Sequence, residues 1–215
     1  SLYDSWIGGF PFGFSTELFY FLIPILAALP YAVSYYQDKK TRYMQNVCLR
    51  TDRKTYLQAK FWAVFLSGGT AVVTPMLLNF FLNAMIFPAI RPELSVNQST
   101  IRGTDLGGAF YFQHPLLYTV VYLFMDFIFA GLWASLSLIG TQFLESSFFV
   151  CFLPFIIYFS WNNLADFLGR IDWMTYYLFF PNSIHSLSAY VAMMGFLVIA
   201  IVLWVTILHK NKDII

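Results

Sequence analysis

The sequence predicts an all-α polytopic membrane protein, on its composition and on the length of its apolar runs. Hydrophobic residues make up 59% of the 215 residues, and charged residues make up 11%. A soluble domain carries about 25% charged residues, so much of this chain's surface must face lipid. A spanning helix needs about 20 apolar residues, because the hydrocarbon core is ~30 Å thick and a helix rises ~1.5 Å per residue. Five runs are long enough: 18–36, 61–90, 115–139, 147–164 and 188–208.

The placement of Lys and Arg predicts how these spans are oriented. Seven of the twelve Lys and Arg residues lie between positions 37 and 60, and two more lie in the tail after residue 208. The segments predicted on the other side hold only Arg91, Arg102 and Arg170. Because short cytoplasmic loops are enriched in Lys and Arg, we expect segment 37–60 and the C-terminus to face the cytoplasm from the plasma membrane. Residue 1 then lies outside, and no signal peptide is visible. We therefore expect one more span upstream, six in the native protein, and we treat residues 1–215 as a single transmembrane domain.

Two segments are predicted on the external side. Residues 91–114 are polar and contain glycine, which is typical of a loop. Residues 162–187 carry apolar side chains at three- and four-residue spacing, which predicts either an amphipathic helix at the interface or a re-entrant hairpin. Pro181 ends this segment, and Asn182 or Ser183 can cap the helix that follows.

Segment 37–60 is the part of the chain that is expected to meet a soluble partner. Residues 39–49 can continue the first spanning helix beyond the bilayer. The polar residues that follow break the apolar pattern, and Thr51 or Asp52 is a suitable N-cap for the next helix. A loop that only touches anionic headgroups is the alternative, but lipid binding does not require the interleaved aromatic and amide residues, such as Tyr43 and Gln45.

The stretch RTDRKTYLQAK at residues 50–60, with the Gly68-Gly69 and Pro75 span after it, resembles permease subunits of type-2 ABC exporters. The resemblance implies that this stretch is a coupling helix, which docks a separate ATP-binding cassette subunit. The docking residues would be Arg50, Thr51, Asp52, Arg53, Lys54 and Tyr56. It also implies a second permease subunit, identical or different, and a re-entrant hairpin before the last span. This chain would bind no cofactor, since ATP and Mg²⁺ belong to the partner, and the cargo would be amphipathic: a peptide, an antibiotic or a lipid-like molecule.

Asp126 is the only carboxylate deep within a predicted span. Ionisable groups inside a bilayer are costly and often functional, so Asp126, with Asn79 and Asn83, is a possible intramembrane polar site. It could bind an ion or a proton. Alternatively, it could be neutral or hydrogen-bonded to Asn79, Asn83 or Tyr122 within the bundle.

Catalytic and metal-binding motifs are absent from the sequence. The three histidines, His114, His185 and His209, lack the paired spacing of metal ligands, and no nucleophile motif or P-loop occurs. The net charge of +1 argues against nucleic-acid binding. We therefore expect no catalytic residue and no metal site, and a permease as the function. The alternatives are an ion-coupled secondary transporter that uses Asp126 and a membrane anchor subunit that transports nothing.

Overall fold

A computed structural model describes residues 1–6, 8, 13–92, 101, 107–180 and 187–210, with side chains up to residue 203. These residues form helices and turns and contain no strand. The α-helices are α1 Leu2–Ser5, α2 Phe14–Ala28, α3 Ser34–Lys40, α4 Tyr43–Cys48, α5 Arg53–Ile86, α6 Gly108–Gln113, α7 Pro115–Gly140, α8 Ser147–Phe167, α9 Thr175–Leu178 and α10 Leu187–Lys210. A 3₁₀ turn, Ile171–Trp173, lies between α8 and α9.

The helices have the length and surface of a membrane protein. Three of those described, α5, α7 and α8, are long and apolar enough to cross a bilayer. Helix α2 and the 187–203 part of α10 are shorter apolar helices. Large apolar side chains such as Leu82, Phe124 and Phe159 are exposed along these helices, which is the arrangement that lipid requires. The all-helical class is thus confirmed, these helices are compatible with a membrane protein, and the number of spans stays a prediction.

The predicted first span, 18–36, is divided between two helices. Helix α2 ends at Ala28, the chain turns through residues 29–33, and α3 begins at Ser34. Pro30 lies in this turn, and proline has no N–H with which to continue a helix. With 15 residues, α2 is about 22 Å long, which is shorter than the hydrocarbon core.

Helix α5 joins two predicted segments into one. It begins at Arg53, well before the predicted span 61–90, and runs for 34 residues. Asp52, one of the two predicted caps, occupies its N-cap position. The end of the predicted coupling segment and the predicted second span are therefore one continuous helix.

Helix α7 forms the centre of the bundle and packs against α2, α5, α8 and α10. Its most extensive contact is with α5, where glycines on both helices bring the backbones together. A Cβ atom on Gly69 would lie 2.7 Å from the Phe127 carbonyl oxygen, and one on Gly131 would lie 2.7 Å from the Phe65 carbonyl oxygen. The helices that approach each other here belong to this same chain.

The two ends of the bundle can be told apart by their hydrogen bonds. At one end the Tyr36 hydroxyl donates to the Glu145 carbonyl, and Lys39 Nζ lies 3.5 Å from the Thr141 carbonyl oxygen. Residues 34–60 and the turn 141–146 therefore share this end, which we call the basic end. At the opposite end the Leu2 amide donates to the Pro88 carbonyl (3.2 Å).

The segment after α8 folds back and does not form one amphipathic helix. Gly169 has a left-handed φ of 65°, which ends α8, and the chain then returns along it. The Trp161 indole N–H donates to the Trp173 carbonyl (2.8 Å), and the Tyr176 amide donates to Asn162 Oδ1 (3.1 Å). The chain reversal agrees with the hairpin alternative, whereas its entry into the bilayer stays a prediction.

Several predicted features lie outside the described residues. They are Pro181, the possible caps Asn182 and Ser183, the histidine at position 185, most of the polar loop with Arg102, and the tail beyond Lys210.

Candidate docking surface and buried polar cluster

The basic end begins with a break that the sequence did not predict. Residues 39–49 do not continue the first helix, because α3 ends at Lys40 and α4 begins at Tyr43. Arg42 between them has a left-handed φ of 58°, a conformation that few residues other than glycine adopt. The break lets α4 run separately from α3 and leads into the turn before α5.

Most of the predicted docking residues lie on the surface of this end. Arg50, Thr51, Asp52 and Lys54 are exposed, and Arg53 is half-buried. The structure also exposes two large side chains here, of which Tyr43 was already noted in the sequence and Leu49 was not. Leu49 is 85% exposed and Tyr43 is 54% exposed. The basic end thus presents apolar and cationic groups side by side, which is a composition that suits protein contact.

Tyr56 has a different position from the other predicted docking residues. Its side chain is 7% exposed, and its hydroxyl donates to the Asp38 carboxylate of α3. Lys60, one turn further along α5, forms an ion pair with the same carboxylate (2.6 Å). We call Asp38, Tyr56 and Lys60 the Asp38 clamp, because they join α3 to α5.

Two further contacts hold the Asp38 clamp in place. Lys60 Nζ lies 5.0 Å from the centre of the Tyr31 ring, within range of a cation–π interaction, and the Tyr35 and Tyr56 rings are 6.4 Å apart. Both side chains of the Asp38–Lys60 pair are largely shielded from solvent, at 18% and 12% exposed. The sequence contained one signal for this pair: Asp38 and Asp52 are the only acids among residues 37–60.

A pocket of about 210 Å³ opens between α3, α4 and the start of α5. Three of its lining side chains are cationic and none is acidic. The lining residues are Tyr35, Lys39, Arg42, Met44, Gln45, Arg53 and Gln142. A concave site lined by guanidinium and ammonium groups favours an anionic group, such as a carboxylate or a phosphate.

Asp126 lies inside the bundle, with 0% of its surface exposed. Neither carboxylate oxygen has a hydrogen-bond partner within the described part of the chain. The predicted partners are engaged elsewhere: Asn83 Nδ2 donates to the Asn79 carbonyl (2.8 Å) and to Asn79 Oδ1 (3.0 Å), and the Tyr122 hydroxyl donates to the Leu178 carbonyl (3.4 Å).

Three tyrosines lie near Asp126: Tyr20 on α2, Tyr122 on α7 and Tyr190 on α10. Phe129, one turn after Asp126 on α7, stacks on the Tyr190 ring (5.6 Å), and Phe179 packs on both Phe129 (4.7 Å) and Tyr20 (6.5 Å). We call Asp126, Tyr20 and Tyr190 the Asp126 cluster; Tyr122 lies beside it, and its hydroxyl donates to the Leu178 carbonyl. The Tyr20 and Tyr190 hydroxyls are buried and, among the described residues, have no hydrogen-bond partner. Neither tyrosine was predicted from the sequence, since a tyrosine in an apolar run gives no sign of what it faces.

Among the described residues, no three His, Cys, Asp or Glu side chains lie close enough together to hold a metal ion. A comparison of the chain with protein-family models, curated proteins and solved structures found no match.

Proposed function

We propose that this chain is the membrane-spanning permease subunit of an ATP-driven ABC exporter, and that its basic end docks a separate ATPase subunit. The observation that carries the proposal is the construction of the basic end. Exposed cationic and apolar residues, Arg50, Lys54 and Leu49, lie beside a helix that continues into the bundle. The likeness of residues 50–60 to the coupling helix of type-2 ABC exporters adds to this argument.

The contacts of the basic end give the proposed docking a mechanical consequence. A partner that grips the turn before α5 moves α4 and α5. The Asp38 clamp makes α3 move with them, and the close glycine contact passes the motion from α5 to α7. In this scheme Arg50, Thr51, Asp52 and Lys54 contact the ATPase, Arg53 lines the adjacent basic pocket, and Tyr56 positions α5.

The remaining parts of the assembly follow from the same proposal. The ATPase subunit binds ATP and Mg²⁺, and a second permease subunit, identical or different, completes the translocation path. The cargo is amphipathic, since α7 and α10 are too apolar to line a path for hydrated ions. The protein operates in the plasma membrane, with the basic end in the cytoplasm.

The experiment is purification of the tagged protein from its native membranes, with measurement of ATP hydrolysis in the purified complex. We expect a stoichiometric ATPase subunit that is lost with Arg50→Glu and Lys54→Glu. Lys40→Glu is the matched control, because Lys40 is an exposed cation at the same end but outside the turn. The proposal fails if the wild-type protein retains no ATPase, or if all three variants behave alike, as general attraction to anionic lipid would predict.

Ion-coupled secondary transport is the second candidate function, and the observation that favours it is the buried, unpartnered carboxylate of Asp126. It predicts that Asp126→Asn abolishes transport while Arg50→Glu has little effect. A membrane anchor subunit predicts no flux of any substrate in either variant.

A further inference from the structure

The Asp126 cluster contains more unsatisfied oxygen atoms than a bundle core ordinarily tolerates. Both Asp126 carboxylate oxygens and the hydroxyls of Tyr20 and Tyr190 are buried and make no hydrogen bond to any described residue, including one another. Buried polar groups are nearly always hydrogen-bonded, and an isolated buried carboxylate is strongly unfavourable. Four such oxygen atoms on three helices therefore indicate a missing partner.

The apolar helices around Asp126 supply no cationic side chain at its depth to serve as that partner, and Lys39 and Lys40 of α3 lie at the basic end. Asp126 is the only charged residue of α7, and Glu17 is the only one of α2. Helix α8 contributes only Asp166, and α10 has no charged residue before its last turn. On α5, the charged residues Arg53, Lys54 and Lys60 all lie in its first eight positions, at the basic end and away from its crossing with α7.

The missing partner must therefore come from outside these helices, and its chemistry follows from the ligands. Carboxylate and hydroxyl oxygens are hard ligands, which suit alkali and alkaline-earth cations better than transition metals. The charge of the site decides between an alkali cation and an alkaline-earth cation. One carboxylate is neutralised by a monovalent cation, whereas a divalent cation would leave a net positive charge buried in an apolar core.

We propose that the Asp126 carboxylate, together with the hydroxyls of Tyr20 and Tyr190, binds one alkali-metal cation, Na⁺ or K⁺, inside the bundle. Tyr20 belongs to α2, Asp126 to α7 and Tyr190 to α10, so the bound cation links three helices that are far apart in sequence. The inference does not depend on the proposed ATPase partner, because it concerns the folded chain alone.

The first test is a measurement of stability and cation binding on the purified full chain in detergent. We expect saturable binding of radioactive ²²Na⁺ with one site per chain, or of the K⁺ analogue ⁸⁶Rb⁺ if the site prefers the larger ion. Compared with choline chloride at equal ionic strength, the chloride salt of the bound cation should raise the folded-to-unfolded ratio about tenfold when that cation is at ten times its Kd. Equal stability in choline, sodium and potassium, with no bound radioactive cation, would overturn the proposal.

Variants then test the proposed ligands. Tyr20→Phe and Tyr190→Phe remove only the hydroxyls, so each should fold and weaken cation binding at least tenfold, while Asp126→Asn should abolish it. Tyr122→Phe is the matched control and should bind as the wild type does, because its hydroxyl already donates to the Leu178 carbonyl. Wild-type binding in both phenylalanine variants contradicts the assignment. An Asp126→Asn protein that matches the wild type in stability in every salt would show instead that the carboxyl is simply protonated.

Discussion

Replacing Gly131 with alanine tests the close contact of α5 and α7 at the centre of the bundle. The added Cβ would lie 2.7 Å from the Phe65 carbonyl oxygen and 2.8 Å from Cδ2 of the Phe65 ring, whereas ordinary contacts begin near 3.4 Å. The ring can rotate away, but the carbonyl oxygen belongs to the α5 backbone. Helix α5 must therefore retreat by about 0.7 Å, the difference between the ordinary and the imposed distance.

The expected loss of stability follows from two opposing effects. Overpacking of a close-packed interior costs about 1–3 kcal/mol, and the helix preference of alanine over glycine returns about 0.5–1 kcal/mol. The two ranges leave a net loss of up to about 2.5 kcal/mol, centred near 1 kcal/mol, which lowers the folded-to-unfolded ratio about fivefold. Equilibrium unfolding of the purified protein in mixed micelles, with increasing denaturing detergent, measures this ratio.

Gly195→Ala provides the matched control. Gly195 also lies within an apolar helix, α10, but a Cβ atom there would meet no atom within 4 Å. This variant gains the helix preference of alanine without a clash and should unfold at the same detergent fraction as the wild type or at a higher one. If Gly131→Ala is as stable as Gly195→Ala, the close contact between α5 and α7 does not exist as described.

Three further variants test other contacts with the same unfolding measurement. Asp38→Asn should lower stability by about 1–3 kcal/mol, because Lys60 loses its carboxylate partner while it is largely shielded from solvent. If the effects of Asp38→Asn and Lys60→Gln simply add in the double variant, the ion pair does not exist as described. Gly169→Ala should cost about 1–2 kcal/mol, because the left-handed φ of 65° strains any residue with a Cβ, and unchanged stability would contradict that turn. Trp161→Phe removes the indole N–H that donates to the Trp173 carbonyl. It should therefore lower stability by about 1 kcal/mol and speed proteolysis between residues 168 and 175. An unaltered cleavage rate would show that this hydrogen bond does not hold the segment.

The sequence predicted those helices whose ends carry local signals. Pro115 begins α7 as predicted, because proline at a first helical position needs no hydrogen bond, and α8 begins at the predicted Ser147. The first span was predicted too long. An apolar run shows only that a segment is compatible with lipid, whereas the end of α2 depends on how the turn with Pro30 packs. The left-handed Arg42 lay beyond prediction for a similar reason, since nothing in its side chain requires that conformation.

The candidate sites were predicted in part. The cationic turn was visible as a cluster of charge, but the Asp38 clamp depends on α3 and α5 lying side by side, which no local pattern encodes. The special position of Asp126 was evident from its charge in an apolar run. Its surroundings were not, because Tyr20 and Tyr190 come from opposite ends of the chain and come near Asp126 only through tertiary packing.

The position of the glycine pair along α5 has a mechanical consequence. Gly69 is at the midpoint of the helix, sixteen residues after Arg53 and seventeen before Ile86. If α5 tilted as a rigid rod about its contact with α7, the parts of the helix on either side of the contact would each be about 25 Å long. A tilt of about 10° around it displaces each end by about 4 Å, in opposite directions. A small push at the basic end would thus open or close the far side of the bundle by the same amount, without any change in the length or hydrogen bonding of α5.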